Sequence, residues 1–325
     1  MRARSVLAVA AVVASASVAV ALPASAGLTT YCEGEAGAVT VPGDLRVAAT
    51  KSCVLTDVNV TGTVTVEAGA SLVVNGGTFN GNVSVLDDGY LDAKGTTLNG
   101  SLTSTDGWGF FLSGGTKVGA VRVVADKVPD RATAAYFNGA KVNGDLTATV
   151  GEVFLQAVNV TGNISGTNVS YVDLMDSVAD KNVTVTGAKQ GSVVCASEVY
   201  GNGSFTNNST AVQIGANGPV VGCEQASYWG GDLTISGNKG AVAVSNNIVR
   251  GNLAGVDNDP APTGSNNRVR GTTSGQFENL APEAAGTQMR QHSTEAVDAH
   301  ERSADVESRK AAAVAAAKAH GPADL

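Results

Sequence analysis

The stretch Phe79-Asn80-Gly81-Asn82-Val83-Ser84-Val85 returns nineteen residues later as Leu98-Asn99-Gly100-Ser101-Leu102-Thr103-Ser104. Both belong to a pattern Gly-x-Φ-x-Φ, with Φ apolar. It starts at Gly43, Gly62, Gly81, Gly100, Gly119, Gly144, Gly162, Gly203, Gly231, Gly251 and Gly271, with Lys181 once in the glycine place. The spacings are 19, 19, 19, 19, 25, 18, 19, 22, 28, 20 and 20. A unit this short cannot bury its own apolar face, so neighbouring units must stack.

Apolar residues stand two places after eleven of these twelve starts, and two before nine of them. Ten places after a start stand Leu72, Leu91, Phe110, Phe154 and Val172. Polar neighbours separate them, which is the period of strands and not of helices. Each unit therefore predicts about three short strands. The expected fold is a right-handed single-stranded parallel β-helix over residues 27–281, with about 19–20 residues per coil. Stacking like on like also predicts amide ladders along the axis, at Asn80, Asn99 and Asn143. The coils that exceed the common spacing must bulge, one near residues 125–131 and one within 207–229. Such departures from a regular scaffold are where function tends to sit.

The ends differ from the middle. Arg2 and Arg4, the apolar run Val6–Leu22 and Ala24-Ser25-Ala26 read as a signal peptide, residues 1–26, cut after Ala26. The mature chain is expected outside the cell, with no membrane span. Residues 282–325 lose the repeat and turn to Ala, Glu, Arg and Lys. They predict a flexible or partly helical tail, disordered or marginally helical, because little there can be buried. All three histidines, His292, His300 and His320, fall in it. The net charge of −8 excludes nucleic acid and anionic membrane as natural partners. Extracellular glycans or cell-surface components fit better.

Four cysteines in an exported chain predict two disulfides. Cys195 and Cys223 each lie eight residues before a repeat glycine, which places them on adjacent coils. Cys32 and Cys53 lie 21 apart, about one coil, and are expected to pin the N-terminal end.

The repeats, the "VVC" and "IGANGPVVGC" coils and the closing run "VSNNIVRGNLAGVDNDPAPTGSNNRVRG" resemble uncharacterised secreted β-helix proteins of actinobacteria. The resemblance covers about residues 30–280. It implies a pectin-lyase-like fold and secretion, and no catalytic activity. It also implies a cysteine pair near the C-terminal end, where this chain has Ala254 and Phe277, leaving that end without a staple.

Candidate site residues are few. Glu67, Asp87, Asp88, Asp106 and Asp126 fall five to seven residues after their coil's glycine. They would form a column of carboxylates able to take Ca²⁺, the one cofactor weighed, although Asp before Gly is also ordinary turn chemistry. Asp92 and Asp173 share a phase but stand four coils apart, about 19 Å at about 4.8 Å per coil, too far for a glycosidase couple. Tyr90 and Tyr171 face outward near Trp108 and Phe111, a row suited to stacking on sugar rings. The function expected is that of a secreted non-catalytic structural or interaction protein. The alternatives are a carbohydrate-active lyase or hydrolase and a glycan-binding module.

Overall fold

In the computed structural model, residues 27–129, 132–216, 218, 220–223, 225–282 and 288–325 are described, with helix side chains from residue 303 onward. The signal segment 1–26, two positions of the 125–131 bulge, three of the 207–229 bulge and residues 283–287 lie outside them.

The chain winds into a parallel β-solenoid of about 13 turns. Most turns contribute one strand to each of three parallel sheets. One turn runs through Val64–Val66 in sheet A, Ser71–Asn75 in sheet B and Thr78–Phe79 in sheet C, and then enters the next at Val83–Leu86. Sheet A has 13 strands, sheet B 11 and sheet C 12, and every pairing between named strands is parallel. Inward columns fill the interior. Leu45, Val64, Val83 and Leu102 stack from sheet A, Leu72, Leu91 and Phe110 from sheet B, and Val60, Phe79 and Leu98 from sheet C. All are buried.

The repeat glycine marks the corner between sheets C and A, where successive turns nearly touch. A Cβ at Gly81 would lie 2.4 Å from the carbonyl oxygen of Gly62. The residue after it carries the principal ladder. Asp44 accepts from the Thr63 amide, Asn82 from Ser101, Asp145 from Asn163, and Asn202 from Asp232. The expected ladder one residue earlier is present at Asn99, whose amide donates to Asn80 at 2.9 Å.

The register differs from expectation in the tenth turn. Gly203 pairs with Val183 and Leu233, so it occupies an apolar place and Gly201 holds the corner. The corresponding ladder steps are 20 and 30 residues, not 22 and 28. The ring of Trp229 fills the room that Gly203 leaves.

Both disulfides are formed, Cys32–Cys53 and Cys195–Cys223. Cys53 lies in the solenoid core, but Cys195 is on the outer face of sheet B. Cys223 belongs to no strand. It sits in the long connection after Val212–Gly215, which folds back over sheet B. Buried Gln213 holds that connection, accepting from the amides of Val220 and Val221 and donating to the Val221 carbonyl at 2.7 Å. The adjacent-coil expectation holds, while the shared phase behind it does not.

The C-terminal end is closed without a staple. Phe277 is buried against the core where the resemblance implied cysteine. The tail forms a helix, Gln288–His320, lying along the outside of sheet B and over strands Ser52–Thr56 and Ser71–Asn75. Val306, Ala313 and Ala317 are buried, so small side chains suffice where a broad apolar stripe is missing. Gly321, at φ +97°, ends the helix in the left-handed conformation usual at that place. The chain then pairs beside the first strand of sheet B. The Glu35 amide donates to the Gly321 carbonyl, and the Ala323 amide to the Glu35 carbonyl. That edge is thereby covered by the chain's own end.

Candidate functional site

The outward middle column of sheet B runs Val54, Val73, Asp92, Phe111, Tyr136, Phe154, Asp173, Val193, Gln213 and Ala243. Its first part lies under the helix and its last part under the 216–226 connection. Between them the half-buried rings of Phe111 and Phe154 flank Tyr136 on consecutive strands, about 4.8 Å per step. Phe154 was expected inside. The turn that begins at Gly144 is one residue shorter before sheet B, so Val153 takes the inward place and Phe154 turns out. A cavity of about 260 Å³ opens here, between these rings, Asn138 and Gln156 on one side and Ser303, Val306 and Glu307 on the other. Tyr136 and Phe154 meet edge to face at 6.3 Å.

At the border of this cleft the phenol of Tyr171 donates to Glu152 Oε2 at 2.9 Å, and Tyr136 donates to the same oxygen. Asp173 Oδ1 accepts from the Val193 amide at 2.9 Å. The cleft thus offers aromatic faces and two side-chain amides, with the Glu307 carboxylate on its helix wall. It can stack on a ring and hydrogen-bond its hydroxyls.

The expected aromatic row is divided. Tyr90 is fully buried, edge to face with Trp108 at 5.3 Å, and the Arg309 guanidinium lies 5.6 Å from the Trp108 ring centre. Burial and the neighbouring Asp92 push the Tyr90 hydroxyl well above its ordinary range. Phe111 lines the cleft, Tyr171 is buried beside it against Glu152, and Tyr90 and Trp108 meet the helix. Tyr136, Glu152, Asn138 and Gln156 were not among the expected site residues. Tyr136 follows the longest irregular connection in the first half, so the repeat gives it no phase.

The expected carboxylate column is drawn to separate partners. Glu67 pairs with Arg46 at 3.0 Å, and Asp87 with Lys127 at 2.6 Å. Asp88 lies 3.7 Å from Arg309, which also donates to its carbonyl. Asp106 accepts from the amides of Asp126, Lys127 and Val128. Burial raises the Asp106 pKa, but these three amides outweigh it and hold the carboxyl below its ordinary value. Asp126 lends its amide to that cradle. Asp88 and Asp106 adopt φ of +60° and +51°, the backbone conformation that favours Asp and Asn at turns. Among the described residues, no three His, Cys, Asp or Glu side chains form a group able to hold a metal ion.

Fold and cleft define a disulfide-bonded parallel β-solenoid with an aromatic surface cleft. No known protein family, curated protein or solved structure matches the chain. Among the described residues no helix is long and apolar enough to cross a membrane, and the two disulfides fit an oxidising compartment.

Proposed function

We propose that this protein is an exported, non-catalytic interaction protein, and that the cleft on sheet B is its glycan-binding face. The carrying observation is the run Phe111, Tyr136 and Phe154 on consecutive strands, with Asn138 and Gln156 beside the rings. Rings fixed on a rigid sheet present apolar area at little entropic cost, and amides select hydroxyl groups. Export is supported by the N-terminal sequence and by the disulfides.

A polysaccharide lyase or hydrolase would need a working acid–base couple. Glu152 is committed to two phenol hydroxyls and Asp173 to a backbone amide, which favours binding without turnover.

The test is calorimetric titration of the mature chain, residues 27–325, with neutral and uronate-bearing oligosaccharides. Product release is followed in the same samples. Binding that falls at least tenfold in Phe154→Ala, with no product, supports the proposal. Product release overturns the non-catalytic reading. Binding unchanged by Phe154→Ala, or no binding by any oligosaccharide, overturns the cleft.

A further inference from the structure

Beneath the helix, one strand beyond the Phe111 end of the cleft, Asp92 of sheet B is completely buried. One carboxyl oxygen, Oδ2, accepts a hydrogen bond from the Tyr90 hydroxyl at 3.0 Å. The other, Oδ1, lies 3.1 Å from Lys310 Nζ. Tyr90, Val306 and Trp108 form part of the apolar cluster on this face of the helix, and the Lys310 side chain is about a quarter exposed, 26 %. Glu307, one helical turn before Lys310, is close enough to act electrostatically on both Asp92 and Tyr90. An ion pair in such a place loses much of its hydration, and its Coulomb gain often does no more than offset that loss.

We propose that Lys310 and Asp92 are the two halves of an intramolecular isopeptide cross-link, with Tyr90 and Glu307 as its assisting groups. The reaction runs from the neutral form of the pair, a carboxylic acid facing an amine, and burial of Asp92 favours the acid. Burial, set against the pull of Lys310 and of the Tyr90 hydrogen bond, leaves the Asp92 carboxyl above its ordinary range. The nitrogen lone pair of Lys310 attacks Cγ of Asp92. Tyr90 donates to Oδ2, where negative charge develops in the tetrahedral adduct. Glu307 takes a proton from the attacking nitrogen and returns it to Oδ1. The Cγ–Nζ bond forms, the Cγ–Oδ1 bond breaks, and one water leaves. Nothing is oxidised or reduced, and no co-reactant is needed. Holding the two groups in contact removes the cost of bringing them together, which is the main obstacle to amide formation between side chains. The product would tie the helix permanently to the sheet it covers.

The experiment is the intact mass of the mature chain, denatured and with its disulfides reduced, followed by a tryptic map. The expected mass is one water below that of the sequence. A branched peptide should join Ser52–Lys94 to Lys310–Lys318. Lys310→Arg should restore full mass. Asp92→Asn should lose ammonia instead and arrive at the same cross-linked mass. Glu307→Gln should slow the reaction while the circular dichroism spectrum stays unchanged. Full mass in the wild-type chain, with Lys310 cleaved normally by trypsin, overturns the proposal whether or not any variant folds.

Discussion

The ring of Trp229 occupies the space that a side chain at Gly203 would need. A Cβ there would lie 2.4 Å from Trp229 Cζ3, and Trp229 also meets Phe205 edge to face at 6.0 Å. The pair is a volume exchange within one turn, a small residue on its sheet A strand against the largest one on its sheet C strand. Trp229→Ala should cost about 3–5 kcal/mol by emptying a buried site. Gly203→Val should also destabilise, by overpacking. Restoring volume in the double variant should recover part of the loss, since the two sites share one space. Denaturant midpoints of the four proteins check this. Strict additivity would show that the two positions do not compete for the same room.

That exchange also shows where the sequence is legible. Leu72, Leu91 and Phe110 could be placed because a strand alternates and a coil repeats, so spacing alone gives direction. Gly203 defeats spacing because its apolar place is filled by Trp229, 26 residues later at the far end of the same turn. Phe154 defeats it because one residue removed from a corner reverses the face. The helix was harder to place. Ala313 and Ala317 bury against the sheet without being strongly apolar, and the acids that receive Arg309 and Lys310 lie far back in the sequence. The cleft joins rings from consecutive strands to helix residues about 150 residues or more later, Ser303, Val306 and Glu307, a meeting that no local pattern can announce.

Asp106 anchors the bulge that follows Val121–Val124. Its carboxylate takes three amides at once, so Asp106→Ala should cost about 1–3 kcal/mol by leaving them without an acceptor. The pH dependence has a definite sign. The folded-state pKa is lowered from the ordinary 3.8. The stabilisation is therefore complete above that value and is lost as pH falls through the folded one. Trypsin cutting after Lys127 should accelerate in the variant at neutral pH, and in the wild type pepsin nicking of the 121–129 segment should rise only as pH falls below the folded-state value. Equal cutting rates in the two proteins at neutral pH would remove Asp106 from this role. The same satisfied geometry predicts no rise in unfolding temperature when Ca²⁺ replaces EDTA.

The Cys195–Cys223 bridge fastens the 216–226 connection to the outside of sheet B and closes a separation of 28 residues. Loop-closure entropy for that span gives about 3–4 kcal/mol. Cys195→Ala with Cys223→Ala should lower stability by up to that amount. The loss of structure should be local, because Val193, Cys195 and Val220 form a cluster apart from the solenoid core. Amide exchange should rise at Val220 and Val221, which donate to Gln213, and remain slow at Val185 in the core. Uniform acceleration along the chain would mean that the bridge supports the whole stack.

The end of the chain closes the edge at its beginning, and this contact depends on small residues. A Cβ at Gly34 would lie 2.2 Å from the Gly321 carbonyl oxygen, and Ala317 is completely buried. Ala317→Glu would place an unpaired charge in that contact, at a cost of several kcal/mol. The last turns of the helix should come away, and with them the strand-like pairing of Gly321–Ala323 with Glu35. Protection of the Glu35 amide, which donates to Gly321, should then disappear. A freed sheet edge is a template for other chains, so the variant should also self-associate at concentrations where the wild type does not. Light scattering after size-exclusion chromatography reads that directly. Retained protection at Glu35 together with an unchanged oligomeric state would show that the edge is held by something other than the docked tail.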